Sequence, residues 1–161
     1  MWCRHKSTIL GMIKMSDYNK ILVGVDFSSI GDTVASRAFE LASRSNAQLT
    51  FLHVVEYLPP FLADEPIASP YWVINEQELV EQAKNNLKKF AQKYSVAPEC
   101  QLVEVGTAKT ELCRIAEEQQ MDLIVVGSYG RHGLGLLLGS TANGVLHHAP
   151  CDVLAVRVKP K

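Results

Sequence analysis

The sequence lacks a surplus of either charge: 16 Lys and Arg stand against 17 Asp and Glu, for a formal net charge of −1. No overall basic field draws it to nucleic acid, and no long basic run supplies a local one. Long apolar runs are missing too. None reaches the ~18 residues of a membrane-spanning helix, so no membrane partner is expected. The four cysteines, Cys3, Cys100, Cys113 and Cys151, are neither paired nor set at metal-ligand spacing. They read as reduced thiols of a cytoplasmic protein, not as a disulfide framework. A metal cluster is likewise not expected. His147 and His148 are adjacent on a helical stretch, diverge by about 100°, and cannot both face one ion. His53 lies in an apolar strand and reads as a hydrogen-bonded core histidine. No G-x-x-x-x-G-K-[ST] occurs, so the lysine that P-loop proteins place on terminal phosphates is absent from the pattern.

At 161 residues the chain suits one domain with a core of its own. Residues 1–14 carry only a brief apolar patch, Ile9 to Ile13, with no small-residue cleavage site, so a signal peptide is not expected. Met15-Ser-Asp-Tyr-Asn has the form of an ordinary chain start. Residues 1–15 are accordingly read as a disordered N-terminal extension and residues 16–161 as a single domain.

Apolar runs that suit buried strands alternate with amphipathic stretches. Lys20 to Asp26 forms the first strand, followed by a helix from about Asp32 to Ser45 with Val34, Ala38, Leu41 and Ala42 on one face. Gln48 to Val55 is the second strand. From Glu56 to Ile74 four prolines and several aromatics argue for a long loop, of the kind that forms a lid or a binding surface. Asn75 and Glu78 have the spacing of a capping box ahead of a helix to about Tyr94. Glu99 to Val105 is the third strand, and Thr107 caps a third helix to about Gln120. Asp122 to Val126, a helix opened by Ser140 and closed by Pro150, and Asp152 to Val158 complete the series.

Strands of this kind alternating with helices predict an α/β fold, a five-stranded parallel sheet with helices on both faces. The strand order 3-2-1-4-5 reverses direction between strands 1 and 4. There the carboxyl ends of two strands diverge and leave a crevice. Asp26 ends the first of these strands, and five glycines fall within the thirteen residues Gly127 to Gly139 after the other. A strand, a glycine loop and a capped helix in that order suit a phosphate, because glycines admit close backbone approach and a helix start presents unpaired N–H groups. The same order also serves as a plain turn.

The segments KILVGVDFS, LTFLHVV, DLIVVGSYGRHGLGLLLGS and VLHHAPCDVLAVR resemble the landmarks of the bacterial universal stress protein family (UspA-like) from about Tyr18 to Val158. The resemblance implies a Rossmann-like, adenine nucleotide alpha hydrolase-like fold and a cytoplasmic homodimer that acts in the stress response. Many members bind ATP or another adenine nucleotide through G-x2-G-x9-G-[ST], whereas the branch of the founding member does not. Here Gly127 and Gly130 match the start and Gly139-Ser140 the end, with eight residues between them, Arg131 to Leu138, in place of nine. Carried over by position, Asp26 would approach the ribose or a phosphate-bound Mg²⁺, and Val54 would offer backbone to the adenine. Gly127, Gly130, Gly139, Ser140 and Thr141 would hold the phosphates, and Arg131 would add charge. Each has a plainer role: Asp26 as a helix cap, Val54 as core, Arg131 as a solvated side chain.

The expected function is therefore that of an adenine-nucleotide-binding regulatory protein rather than an enzyme. Its dimer would form through the apolar edge strand, residues 152–158. The alternatives are a slow ATPase using Asp26 and Mg²⁺, and a non-nucleotide-binding dimer that acts by protein–protein interaction.

Overall fold

The computed structural model describes residues 18–56, 76–128 and 138–158. The extension, the proline-rich loop, the capping residue Asn75, Gly130 and Arg131 lie outside them. Five strands and four α-helices alternate: β1 Lys20–Gly24, α1 Ser29–Ser45, β2 Gln48–Val55, α2 Glu76–Gln92, β3 Gln101–Val105, α3 Ala108–Glu118, β4 Leu123–Gly127, α4 Ser140–His148 and β5 Asp152–Val156. All neighbouring strands are parallel, in the order β3-β2-β1-β4-β5, as expected from the sequence.

Side-chain alternation along the strands builds two apolar layers. Ile21, Val23, Phe51 and Val125 face α1 and α2, where Phe51, Phe90 and Tyr94 form an aromatic cluster with ring centroids 5.6 Å apart. Leu22, Leu52, Ile124 and Val126 face α3 and α4. Alanines at positions 35, 38 and 42 let α1 lie close on the sheet. The central strands are buried on both faces, which explains their unbroken apolar sequence.

Several boundaries differ from the sequence expectation, each for a local reason. β1 ends at Gly24, although Val25 still donates to Leu52 O at 2.9 Å, so Asp26 stands beyond the strand. α1 starts at Ser29 because Ser28, not Asp26, is its N-cap: Ser28 Oγ accepts from Gly31 N at 3.1 Å. A 3₁₀ turn at Pro98–Cys100 delays β3 to Gln101. Thr107 occupies the cap position of α3, but its hydroxyl pairs with Thr110 Oγ1 at 2.7 Å instead of a backbone amide. Gly139 takes the N-cap position of α4 expected for Ser140, which is the first helical residue. β5 stops at Val156, two residues short of expectation.

Candidate functional site at the carboxyl ends of β1 and β4

A cavity of about 460 Å³ opens at the strand-order reversal. Asp26 and Gly31 border it after β1, His53 and Val54 at the end of β2, and Gly127 with the start of α4 from Gly139 to Ala142 on the β4 side. Six of the eight sequence-predicted site residues thus border one space: Asp26, Val54, Gly127, Gly139, Ser140 and Thr141. The other two, Gly130 and Arg131, lie outside the described residues.

The Asp26 carboxylate is held by its own turn. Oδ1 accepts from Ser28 N at 3.1 Å and from Ser28 Oγ at 2.7 Å, and Ser28 Oγ in turn accepts from Gly31 N. Gly31 lies close against this carboxylate: a Cβ at that position would run into Asp26 Oδ1 and displace it. The turn also places Phe27 in the left-handed region, at φ 57°, with its ring stacked 4.2 Å from His53. His53 Nδ1 lies 2.7 Å from Val25 O. A carbonyl only accepts, so Nδ1 carries the hydrogen and donates it, which leaves Nε2 as the ring's other polar atom. The histidine is hydrogen-bonded as expected, and it is also half-buried at the cavity wall.

On the opposite wall α4 begins without a side-chain cap. Gly139 N donates to Ser128 O at 2.8 Å, so its amide is already engaged. The next three amides, of Ser140, Thr141 and Ala142, belong to the first turn, where no intrahelical acceptor exists. Among the described residues nothing else accepts from them. Unmet amides at the positive end of a helix dipole form an anion seat.

One charged residue bordering the cavity escaped the sequence reading. Glu56 Oε1 stands 3.4 Å from Ala108 N at the start of α3, so a carboxylate already sits on that helix terminus. Its one signal was position, directly after the second strand. The described lining holds the carboxylates of Asp26 and Glu56 and no Lys or Arg. Among the described residues no group of three or more His, Cys, Asp or Glu is arranged to hold a metal ion. His148 Nδ1 instead pairs with Gly144 O at 2.8 Å, within its own helix.

The sheet order, the helices on both faces and the cavity at the switch point define an α/β protein of the adenine nucleotide alpha hydrolase-like class. A family model described as the universal stress protein family matches residues 17–157, and the chain belongs to that family. Universal stress protein A homolog 2 of Coxiella burnetii is 42% identical over 146 residues, which cover 90% of this chain and 99% of the relative. The structure of universal stress protein UspA from Lactobacillus plantarum aligns with a TM-score of 0.69 at 29% identity, covering 87% of this chain and 98% of that one. A universal stress protein solved in complex with cAMP aligns with a TM-score of 0.63 at 24% identity, over 87% of this chain and 97% of that one. At that identity the likeness speaks to the fold alone.

Proposed function

We propose that this protein binds an adenine nucleotide, ATP or another, in the cavity between β1 and β4, and serves as a regulatory homodimer of the cytoplasmic stress response rather than as an enzyme. The observation that carries this reading is the start of α4, whose three unmet amides border a space of nucleotide-sized volume. Ser140 and Thr141 hold the phosphates there, with Gly127 and Gly139 giving room and Gly130 and Arg131 joining from the glycine loop. Val54 offers backbone to the adenine, and Asp26 meets the ribose or a phosphate-bound Mg²⁺. Carboxylate oxygens suit that ion, and Asp26 and Glu56 both stand on the cavity wall. Mg²⁺ would offset the repulsion between these carboxylates and the phosphates. A family relative solved with cAMP lends support to the ligand class.

The dimer forms through residues 152–158. β5 pairs with β4 on one side only, and Leu154 on it is 38% exposed. Pairing with a second copy about a two-fold axis satisfies such an edge.

Mass spectrometry of small molecules released on denaturing freshly purified protein, followed by calorimetry with ATP, ADP and AMP, tests the ligand. Binding is expected, with Gly139→Val much weaker because its side chain enters the phosphate seat. No bound nucleotide and no heat at millimolar ligand would leave the interaction protein as the better reading. Sedimentation showing only monomer at micromolar concentration would overturn the dimer.

A further inference from the structure

His53 stands where the ladder between β1 and β2 stops. Along β2 successive residues turn their N–H and C=O to alternate neighbours. Leu52 O accepts from Val25 N at 2.9 Å on the β1 side, and Val55 O accepts from Gly106 N at 3.1 Å on the β3 side. Val54, two residues beyond Leu52, therefore faces the β1 side, where the register runs only as far as Gly24 opposite Leu52. One more step of the ladder would join Val54 N to Val25 O. That bond is not made, and among the described residues neither the N–H nor the C=O of Val54 has a partner. Val54 borders the cavity.

Val25 O is met instead by the His53 ring, whose Nδ1–H donates to it at 2.7 Å. Phe51 points to the face covered by α1 and α2, and His53, two residues on, points the same way. There its ring stacks 4.2 Å from Phe27, which in turn lies 6.0 Å from Phe90. One side chain thus holds the residues on either side of Asp26, Val25 by a hydrogen bond and Phe27 by stacking. We propose that His53 is a positioning residue for the base of the ligand: it draws Val25 O out of the ladder and keeps the N–H and C=O of Val54 open to the edge of a planar heterocycle. A donor and an acceptor side by side suit an edge that carries an acceptor beside a donor, as N1 and the amino group of adenine do. The inference rests on the nucleotide reading and adds to it a residue that acts through its neighbour.

Two variants of the full-length protein separate the ring from its hydrogen bond. His53→Phe keeps an aromatic ring beside Phe27 and removes the donor, whereas His53→Asn keeps an N–H at the place of Nδ1 and removes the ring. Amide hydrogen exchange, followed by NMR on the empty protein, reads Val54 directly. In the parent the Val54 amide should exchange much faster than those of Leu52 and Val55, which the ladder holds. In His53→Phe it should slow to the pace of those neighbours as it takes over Val25 O. Calorimetry uses ATP, adenosine and inorganic triphosphate. His53→Phe should bind ATP and adenosine about tenfold more weakly, the scale of one or two lost hydrogen bonds, with triphosphate unchanged, and His53→Asn should recover most of that loss. An equal loss for triphosphate, or a loss in His53→Asn as large as in His53→Phe, would assign His53 to structure alone and overturn the proposal. So would a Val54 amide as protected in the empty parent as its neighbours, a measurement that stands even where a variant fails to fold. If the parent binds none of the three probes, the nucleotide reading falls and this inference with it; if ATP binds the parent and His53→Phe alike, only the role of His53 falls.

Discussion

The two ends of the central strand pair carry the same kind of group in opposite conditions. At the amino ends of β1 and β4, Asp122 Oδ2 accepts from Asn19 N at 2.7 Å and Lys20 N at 2.9 Å, while Asp122 N donates to Lys20 O at 2.9 Å. Lys20 Nζ then reaches Gln119 O at 3.0 Å. At the carboxyl ends, Asp26 binds its own turn and borders an open space, α4 begins with unmet amides, and Ser128 keeps a buried hydroxyl without a partner. One aspartate closes a seam between strands and the other stands beside an opening. Unmet donors cost stability, so the end that carries them is where a ligand has something to offer.

The same substitution at both ends tests that contrast most directly. Asp122→Ala leaves two strand amides without their acceptor and should lower stability by about 2 kcal/mol in urea unfolding, with nucleotide affinity intact. Asp26→Ala should reverse the pattern: nucleotide affinity falls about tenfold, which corresponds to about 1.4 kcal/mol, while stability changes less than at Asp122. Equal stability losses at the two positions would mean that the carboxyl end is as fully committed to structure as the amino end.

A smaller effect is expected at the junction of turn and helix. Ser28→Ala removes the cap on Gly31 N and the hydroxyl bonded to Asp26. It should cost about 1 kcal/mol of stability and weaken nucleotide binding through Asp26 alone. Thermal unfolding with and without ATP separates the two parts, and a loss confined to the empty protein would detach Ser28 from the site.

The smallest effect is a dependence on alkaline pH that arises away from the cavity. Burial raises the pKa of the Cys113 and Cys151 thiols, the latter helped by Asp152. Burial also raises the phenols of Tyr18 and Tyr94, beside Asp152 and Asp32 respectively. The folded protein thus keeps these protons to higher pH than the unfolded chain. Their contribution is complete below the unfolded values, about 8.5 for a thiol and 10 for a phenol, and is lost as pH rises through the folded ones. Stability should fall modestly from about pH 8.5 upward in a urea series. A flat profile there, or a rise, would contradict the sign.

Much of the fold was legible because the strands announce themselves. β-branched runs such as Ile21 to Val23 and Leu123 to Val126 need both faces covered, and the parallel order follows from the helices between them. Strand ends were less legible. Nothing in the run Lys20 to Asp26 says that the strand ends at Gly24, because its end depends on Ser28 and Gly31 drawing Asp26 into a turn. Ser140 looked like a cap by residue type, yet Gly139 took that place because its amide is bound by Ser128 O from a neighbouring strand end. The site was legible to the same degree. Asp26 and Val54 could be named through the family resemblance and the flanks of the glycine loop through the glycine motif, whereas Glu56 carries no motif of its own.

The sequence by itself determined the family, the alternation of strand and helix, and which strands lie at the centre, since these depend on local pattern and on apolar runs long enough to be buried. Only the tertiary structure decided which polar groups find partners. A carboxylate, an amide or a hydroxyl is the same along the chain wherever it occurs. Whether it is met depends on what strands and helices distant in sequence bring beside it, as Asp122 is met by the start of β1 and Ser128 Oγ is met by nothing described.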